Sequence, residues 1–203
     1  LPGLLYWRVS NRNYFSKKVG SVLENHLSRN GLKEPLAELT TDEVWRLSWK
    51  SRNPLVSIVI PNRNNFCLLS QLISSILEKT TYENFEVIII DNNSSQNELL
   101  SFYEELKIDS RFTIYEFNEE FNFSRANNLG ADLASGEVLL FINNDMKVLI
   151  DDWLEELVRW TLIPEIGVVG TKLLYPDGLI QHAGVVVGLN GYADHIYMGA
   201  PSD

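Results

Sequence analysis

The chain is short of cysteine, of glycine-rich phosphate loops, of long apolar runs and of net positive charge, and each shortage excludes a class of function. A single cysteine, Cys67, among 203 residues rules out a disulfide framework and any cysteine-based zinc site, and it suits a reducing compartment. Neither G-x-G-x-x-G nor G-x-x-x-x-G-K-S/T follows any apolar run, which argues against a dinucleotide oxidoreductase or a P-loop NTPase. No apolar stretch approaches the roughly 20 residues that span a bilayer. With 17 Lys and Arg against 27 Asp and Glu the formal net charge is −10, so nucleic acid is not expected as the main partner. The chain opens at Leu1 with neither Met nor a leader pattern, and is therefore expected to be a piece of a longer protein.

What is present is enough to fold. Hydrophobic residues make up 45% and charged ones 22%, a globular balance in a chain long enough for one domain with an appendage. Residues 1–53 read as a helical lead-in of about two helices. Val19, Val22, Leu23, His26 and Leu27 share one helical face ahead of Gly31, and a second helix is expected from Thr41, burying Val44, Trp45 and Leu47 before Pro54.

From Leu55 onward, strands alternate with helices. Leu55–Ile60 reads as a buried strand stopped by Pro61, and Phe66–Lys79 as a helix with a stripe of Leu68, Leu69, Leu72, Ile73, Ile76 and Leu77. Phe85–Ile90 is a second buried strand, followed by a helix capped by Ser94 or Ser95 and running to Leu106. A strand at Phe112–Tyr115, a helix at Asn122–Ala134 closed by Gly136, and a strand at Val138–Ile142 come next. Trp153, Leu154, Leu157, Val158 and Trp160 form an amphipathic helix, and Val168–Tyr175 and Ile180–Val187 are expected as strands or a hairpin around Pro176-Asp177-Gly178. The alternation implies an α/β domain over 54–203, with a mostly parallel sheet and helices on both faces.

In such a sheet, ligands bind beyond the C-terminal strand ends. Three strands end there in polar clusters: Pro61-Asn62-Arg63-Asn64-Asn65, Asp91-Asn92-Asn93-Ser94-Ser95 and Asn143-Asn144-Asp145. Asn, Asp and Ser are ordinary turn residues, so one cluster alone says little. Three on one sheet edge present converging donors, acceptors and carboxylates, which suit a nucleotide base, a ribose and a metal-bound diphosphate. Without a phosphate loop, a divalent cation held by Asp145 is the candidate for neutralising that diphosphate.

These segments carry a resemblance. PLVSIVIPNRNN, FEVIIIDNNSS and FNFSRANNLGADLASGEVLLFINND, extended by DWLEELV and IGVVGTKLLYPDGLIQHAGVVVG, resemble a family 2 glycosyltransferase of GT-A fold, of the bacterial O-antigen and rhamnan-building type. The resemblance covers roughly Pro54 to Gly199. It implies an inverting transferase that moves a sugar from a UDP- or dTDP-type donor to a bacterial surface polysaccharide or lipid-linked acceptor, with Mg²⁺ or Mn²⁺. It further implies a cytoplasmic enzyme, at the inner face of the membrane through peripheral association of a longer parent.

Residue by residue, the resemblance implies that Pro61, Asn62 and Arg63 line a base pocket and that Asp91 and Asn92 bond the pyrimidine and ribose. Asn92 stands where an aspartate is commoner, yet an amide both donates and accepts. The family's Asp-x-Asp metal motif reads Asn143-Asn144-Asp145 here, so Asp145 is the implied metal ligand and Asn144 the ribose neighbour; an Asx turn is the plain structural alternative. Asn127 and Arg125 stand near the place of a family Ala-Arg-Asn, with the arginine two residues early, and Arg125 is taken as a candidate for the diphosphate. His182 is a weaker candidate metal ligand. Cys67 is expected as a buried small residue, Glu119 and Glu120 as solvated loop charge, and Trp153 and Trp160 as core. The family's general base is an acidic residue well beyond the metal motif; 58 residues follow Asp145 without an acidic pair of that kind, so the base and the acceptor half are expected beyond Asp203. Two other classes fit parts of the pattern: a non-catalytic nucleotide-sugar-binding module, and a nucleotidyltransferase, which would need a Gly-rich basic loop.

Overall fold

A computed structural model describes residues 14–40, 44–188 and 191–202. The chain runs through α1 (Tyr14–Arg29), β1 (Lys33–Leu39), β2 (Trp45–Lys50), β3 (Val56–Asn62), α2 (Phe66–Lys79) and β4 (Phe85–Asp91). It continues with α3 (Asn97–Leu106), β5 (Phe112–Glu116), α4 (Phe123–Leu133), β6 (Val138–Phe141) and α5 (Trp153–Thr161). Four short strands close it: β7 (Leu173–Leu174), β8 (Ile180–His182), β9 (Val185–Val187) and β10 (Ala193–His195). The backbone groups into two compact units, Asn53–Val158 and a second in which residues up to Arg52 join those from Arg159 on. No helix among the described residues is long and apolar enough to cross a membrane.

The unit 53–158 holds a four-stranded parallel sheet in the order β5-β4-β3-β6. Every residue of β3 is buried, as a central parallel strand requires. Val59, Ile88 and Ile90 face one side, where they cluster with Phe117 and with Ala126 of α4. Gly130 lets that helix come close: a Cβ there would lie 2.3 Å from Cγ1 of Val59. α2 and α3 bury Tyr103 together with Leu69, Leu72, Ile73, Ile76, Leu99 and Leu106, each of these leucines and isoleucines contributing roughly 1.5–3 kcal/mol relative to exposure. At the opposite end from the polar tips, Glu86 Oε1 accepts from Ser57 Oγ (2.6 Å) and Ser135 N (2.7 Å), and Ser57 Oγ accepts from Gly136 N (2.8 Å). Gly136 is obligatory there, since a Cβ would meet the backbone N of Ser57 at 2.7 Å.

The strand expected to stop at Pro61 runs on to Asn62. Odd residues of β3 face β6, as the bond from Ile142 N to Val59 O (3.1 Å) shows, and pairing with β6 ends at Val59. The N–H that Pro61 lacks would therefore point at no partner strand. α2 matches its expected bounds, but Cys67, Leu68 and Leu77 lie on its exposed side rather than in its buried face. α3 has Gln96 and not Ser94 or Ser95 at its N-cap position, without a side-chain cap bond, and the Ser94 hydroxyl is occupied in the loop described below.

In the other unit the expected second helix is a strand. Trp45, Leu47 and Trp49 alternate with Arg46, Ser48 and Lys50, a two-residue period that pairs β2 antiparallel with β1. The Thr41 cap lies outside the described residues. α1 packs on this hairpin through Gly20, where a Cβ would come within 3.1 Å of the Trp45 ring, and Trp49 meets Trp160 edge to face at 4.8 Å. Of the expected Val168–Tyr175 strand only Leu173–Leu174 pairs, with β8, and Val168 is 90% exposed. Ile180–Val187 divides into β8 and β9, the latter pairing with β10.

Candidate active site

The parallel register sets Asn62 of β3 level with Asp91 of β4, and the chain leaves both strands through left-handed asparagines. Asn64 (φ 53°), Asn65 (φ 57°) and Asn93 (φ 53°) take a conformation that asparagine tolerates better than most residues. The two loops then bond to one another, and one of these bonds caps α2. Asn64 Oδ1 accepts from Ser95 N (2.9 Å) and Gln96 N (3.3 Å), while Gln96 Oε1 accepts from Phe66 N (3.0 Å) at the start of α2. Ser94 Oγ accepts from Asn64 N (2.7 Å). The Phe66 N–H at the start of α2, which would otherwise be orphaned, is thus satisfied across 30 residues of sequence.

Beneath the loops lies a buried polar chain. Asp91, 6% exposed, accepts from Ser94 N (3.0 Å), from Ser94 Oγ and from the hydroxyl of Tyr103 (2.7 Å). The same Tyr103 oxygen accepts from Asn62 Nδ2 (2.8 Å), which also donates to Asn64 O (3.1 Å). Asn62 Oδ1 accepts from Asn144 Nδ2 (2.6 Å). Burial, and then the bond to Asp91, push the Tyr103 phenol well above its ordinary pKa, so it remains a donor at any working pH. This chain ties the tips of β4, β3 and the loop after β6 together.

At its surface lies a cavity of about 290 Å³, lined by Pro61, Asn62, Arg63, Asn65, Phe121, Phe123, Asn143, Asn144 and Asp145. The structure therefore brings together five of the expected site residues: Pro61, Asn62, Arg63, Asn144 and Asp145. It places the others elsewhere. Asn92 is 1% exposed and spends both amide hydrogens on backbone, donating to Phe117 O (2.8 Å) and Glu119 O (2.9 Å), so it shapes the segment that leads to Phe121. Asp91 lies behind the lining as the anchor of the buried chain. Asn127 is buried in α4, donates to Phe123 O (2.8 Å), and keeps its Oδ1 without a partner among the described residues.

Arg125 lines a different cavity, of about 490 Å³, with Glu116, Asn118 and Asp132, and its guanidinium pairs with Glu119 at 2.5 Å. Glu119, expected as solvated charge, is that ion-pair partner. His182 belongs to the other unit, where its Nδ1 lies 2.7 Å from Nδ1 of His195. Phe121, Phe123 and Tyr103 are the residues that sequence reasoning missed. The two phenylalanines flank Asn122, whose side chain accepts from Arg125 N to cap α4, and an exposed aromatic pair beside such a cap is a readable signal.

Among the described residues no group of three or more His, Cys, Asp or Glu side chains could hold a metal ion. The cavity offers one exposed carboxylate, Asp145, with the amides of Asn143 and Asn144 beside it. Hard cations such as Mg²⁺ take one or two protein carboxylates and complete their shell with phosphate oxygens and water. That donor set fits a cation arriving with a diphosphate, and it does not make a site complete from protein ligands alone.

The model of glycosyl transferase family 2 matches residues 57–180, more than half of the chain. The chain belongs to glycosyl transferase family 2. An O-antigen biosynthesis protein of Myxococcus xanthus is 42% identical to this family 2 chain over 183 residues, which is 89% of the chain and 14% of that protein. An uncharacterized protein of Sinorhizobium fredii is 35% identical over 212 residues, 98% of the chain and 23% of that protein. The chain thus spans less than a quarter of the length of either relative. Among solved structures, a mannosyltransferase of Pyrobaculum calidifontis in complex with GDP-Man and Mn²⁺ superposes with a TM-score of 0.55 at 18% identity, covering 79% of this chain and 45% of that one. The parallel α/β sheet with flanking helices is accordingly a GT-A fold, and the family is one of transferases.

Proposed function

We propose that residues 54–203 form the donor-binding part of an inverting glycosyltransferase, which moves a sugar from a UDP- or dTDP-type donor to a bacterial surface polysaccharide or a lipid-linked acceptor. The bond between Asn62 and Asn144 carries this reading, because it joins two strand tips into one cavity with Asp145 on its rim. The O-antigen relative supports the glycan class, and the solved mannosyltransferase with its GDP-Man supports a nucleotide-sugar donor.

In this reading Pro61, Asn62 and Arg63 flank the base, with Asp91 and Asn92 holding the tips in place. Asn144 serves the ribose, and Asp145 holds Mg²⁺ or Mn²⁺ together with the diphosphate. When bound, the cation neutralises charge developing on the leaving diphosphate. Arg63 adds the one side-chain positive charge in the lining of the cavity. Asn143 in place of a second carboxylate lowers the negative charge at the rim, so cation and nucleotide bind together rather than in turn. Among the described residues the cavity lining holds no second carboxylate to act as general base, and the reading places the reaction in the cytoplasm at the inner face of the membrane.

Calorimetric titration of the chain with UDP, dTDP and GDP, each in Mn²⁺ and in EDTA, tests the reading. At least one nucleotide should bind, and only with the metal. Absence of metal-dependent binding by all three refutes it.

A further inference from the structure

We propose that Tyr103 is a positioning residue for the nucleotide cavity: its hydroxyl fixes the direction of a hydrogen-bond chain that ends by presenting Asn144 Oδ1 as an acceptor to a hydroxyl group of the ligand. The nature of the ligand rests on the nucleotide-sugar reading above; the polarity of the chain does not.

The polarity follows from which groups can donate. The Asp91 carboxylate receives a backbone N–H and the Ser94 hydroxyl, so it acts as an acceptor, and the Tyr103 hydroxyl must give it its single proton. Tyr103 is 4% exposed and can only accept its second bond, and its neighbour Asn62, 2% exposed, must therefore turn Nδ2 toward it. That orientation is reinforced by Asn64 O, which also needs a donor. Asn62 Oδ1 is then left facing Asn144, which supplies its own Nδ2 at 2.6 Å. With Nδ2 turned toward Asn62 and one of its two hydrogens given there, Asn144 offers its oxygen as the acceptor to the cavity it lines. An amide oxygen accepts from a sugar hydroxyl and repels a phosphate oxygen, so the chain selects a hydroxyl-bearing part of the ligand at this point. Tyr103 reaches the cavity lining through its bond with Asn62, and its position on α3 gave no hint of the role.

Tyr103→Phe keeps the ring and its packing and deletes only the oxygen. Asn62 then loses one of the two partners that order its amide, keeping the bond to Asn64 O, and the orientation of Asn144 loosens with it. For whichever of UDP, dTDP and GDP binds best with Mn²⁺, affinity should fall about five- to tenfold, the scale of one ordered hydrogen bond. Because Tyr103 acts through Asn144, the double variant Tyr103→Phe/Asn144→Ala should bind no worse than Asn144→Ala alone. The side-chain amide cross-peaks of Asn144 in a ¹⁵N correlation spectrum should also move in Tyr103→Phe, transmitted through the Asn62 amide that bonds both. Unchanged affinity, additive losses, or unmoved Asn144 peaks overturn the proposal. If the unaltered chain binds no nucleotide, the functional reading fails and the amide peaks alone decide the role of Tyr103. Should Tyr103→Phe not fold, the unaltered protein still serves: a Tyr103 hydroxyl proton showing a nuclear Overhauser effect to the Asn62 amide is expected, and its absence refutes the chain.

Discussion

Gly130→Ala tests how closely α4 rides on the strand that delivers the site. On an exposed helix the change would stabilise by about 1 kcal/mol, because alanine restricts the unfolded chain and favours helix. Here the new Cβ would lie 2.3 Å from Val59 Cγ1, 3.2 Å from Cγ2 and 3.3 Å from Cβ. Ordinary carbon contacts are about 3.5–4.0 Å, so helix and strand must part by roughly 1 Å or more. Val59 cannot swing away, since it is wholly buried and a β-branched side chain is stiff about χ1. Overpacking of this kind costs about 1–3 kcal/mol, and set against the propensity gain it leaves a net loss of about 1–2 kcal/mol. The strain enters β3 two residues before Pro61, so nucleotide affinity should fall with it.

Removing the obstruction should reverse the sign. In a Val59→Ala background both offending Cγ atoms are gone, and Gly130→Ala should be neutral or stabilising by up to about 1 kcal/mol. Urea unfolding followed by far-UV circular dichroism on the four proteins of the cycle measures the coupling, expected near 2 kcal/mol. If Gly130→Ala has the same effect in both backgrounds to within about 0.5 kcal/mol, the close approach of helix and strand is wrong.

Other outcomes follow from the same geometry. Asp145→Ala should abolish the metal dependence of nucleotide binding in calorimetry while moving the melting temperature little, because the residue is exposed. Arg125→Ala should leave nucleotide affinity within about twofold, since the guanidinium is engaged by Glu119 outside the cavity, and stability should change by less than about 1 kcal/mol, as for other exposed pairs. Asp109 is held below the usual carboxylate range by its hydrogen bonds from Arg111. A depressed folded-state pKa stabilises above the unfolded value and is lost as pH falls, so the stability gap between wild type and Asp109→Asn should be full near neutrality and should close below about pH 4.

Much of the sheet was legible because its signals are local. A run such as FEVIII reads as a buried strand on composition alone, one residue short of its observed end at Asp91, and the stripe within 66–79 fixes α2 to its observed ends. The β1–β2 hairpin was missed because Thr-Asp-Glu at 41–43 imitates a helix start, whereas the alternation of Trp45, Leu47 and Trp49 carried the truth. Cys67 was misplaced because it sits one position ahead of the apolar stripe, where the helix turns to solvent. The three polar tips were readable as a set, since strand ends in one parallel sheet must share an edge. Which of their side chains face the cavity was not. Asn92 looks like a ligand in sequence, yet its amide is consumed by carbonyls 25 and 27 residues away, and Gln96 caps a helix 30 residues before it. Only the folded register brings those partners together, and the same holds for Tyr103.

Paramagnetic Mn²⁺ reads the central claim most directly. Added to the ¹⁵N-labelled chain with the tightest-binding nucleoside diphosphate, it should broaden the amide resonances of Asn143, Asn144 and Asp145 first and those of Arg63 and Phe121 next. Broadening centred instead on His182 and His195, or none at Asp145, would contradict the placement of a donor site at the tips of β3 and β6.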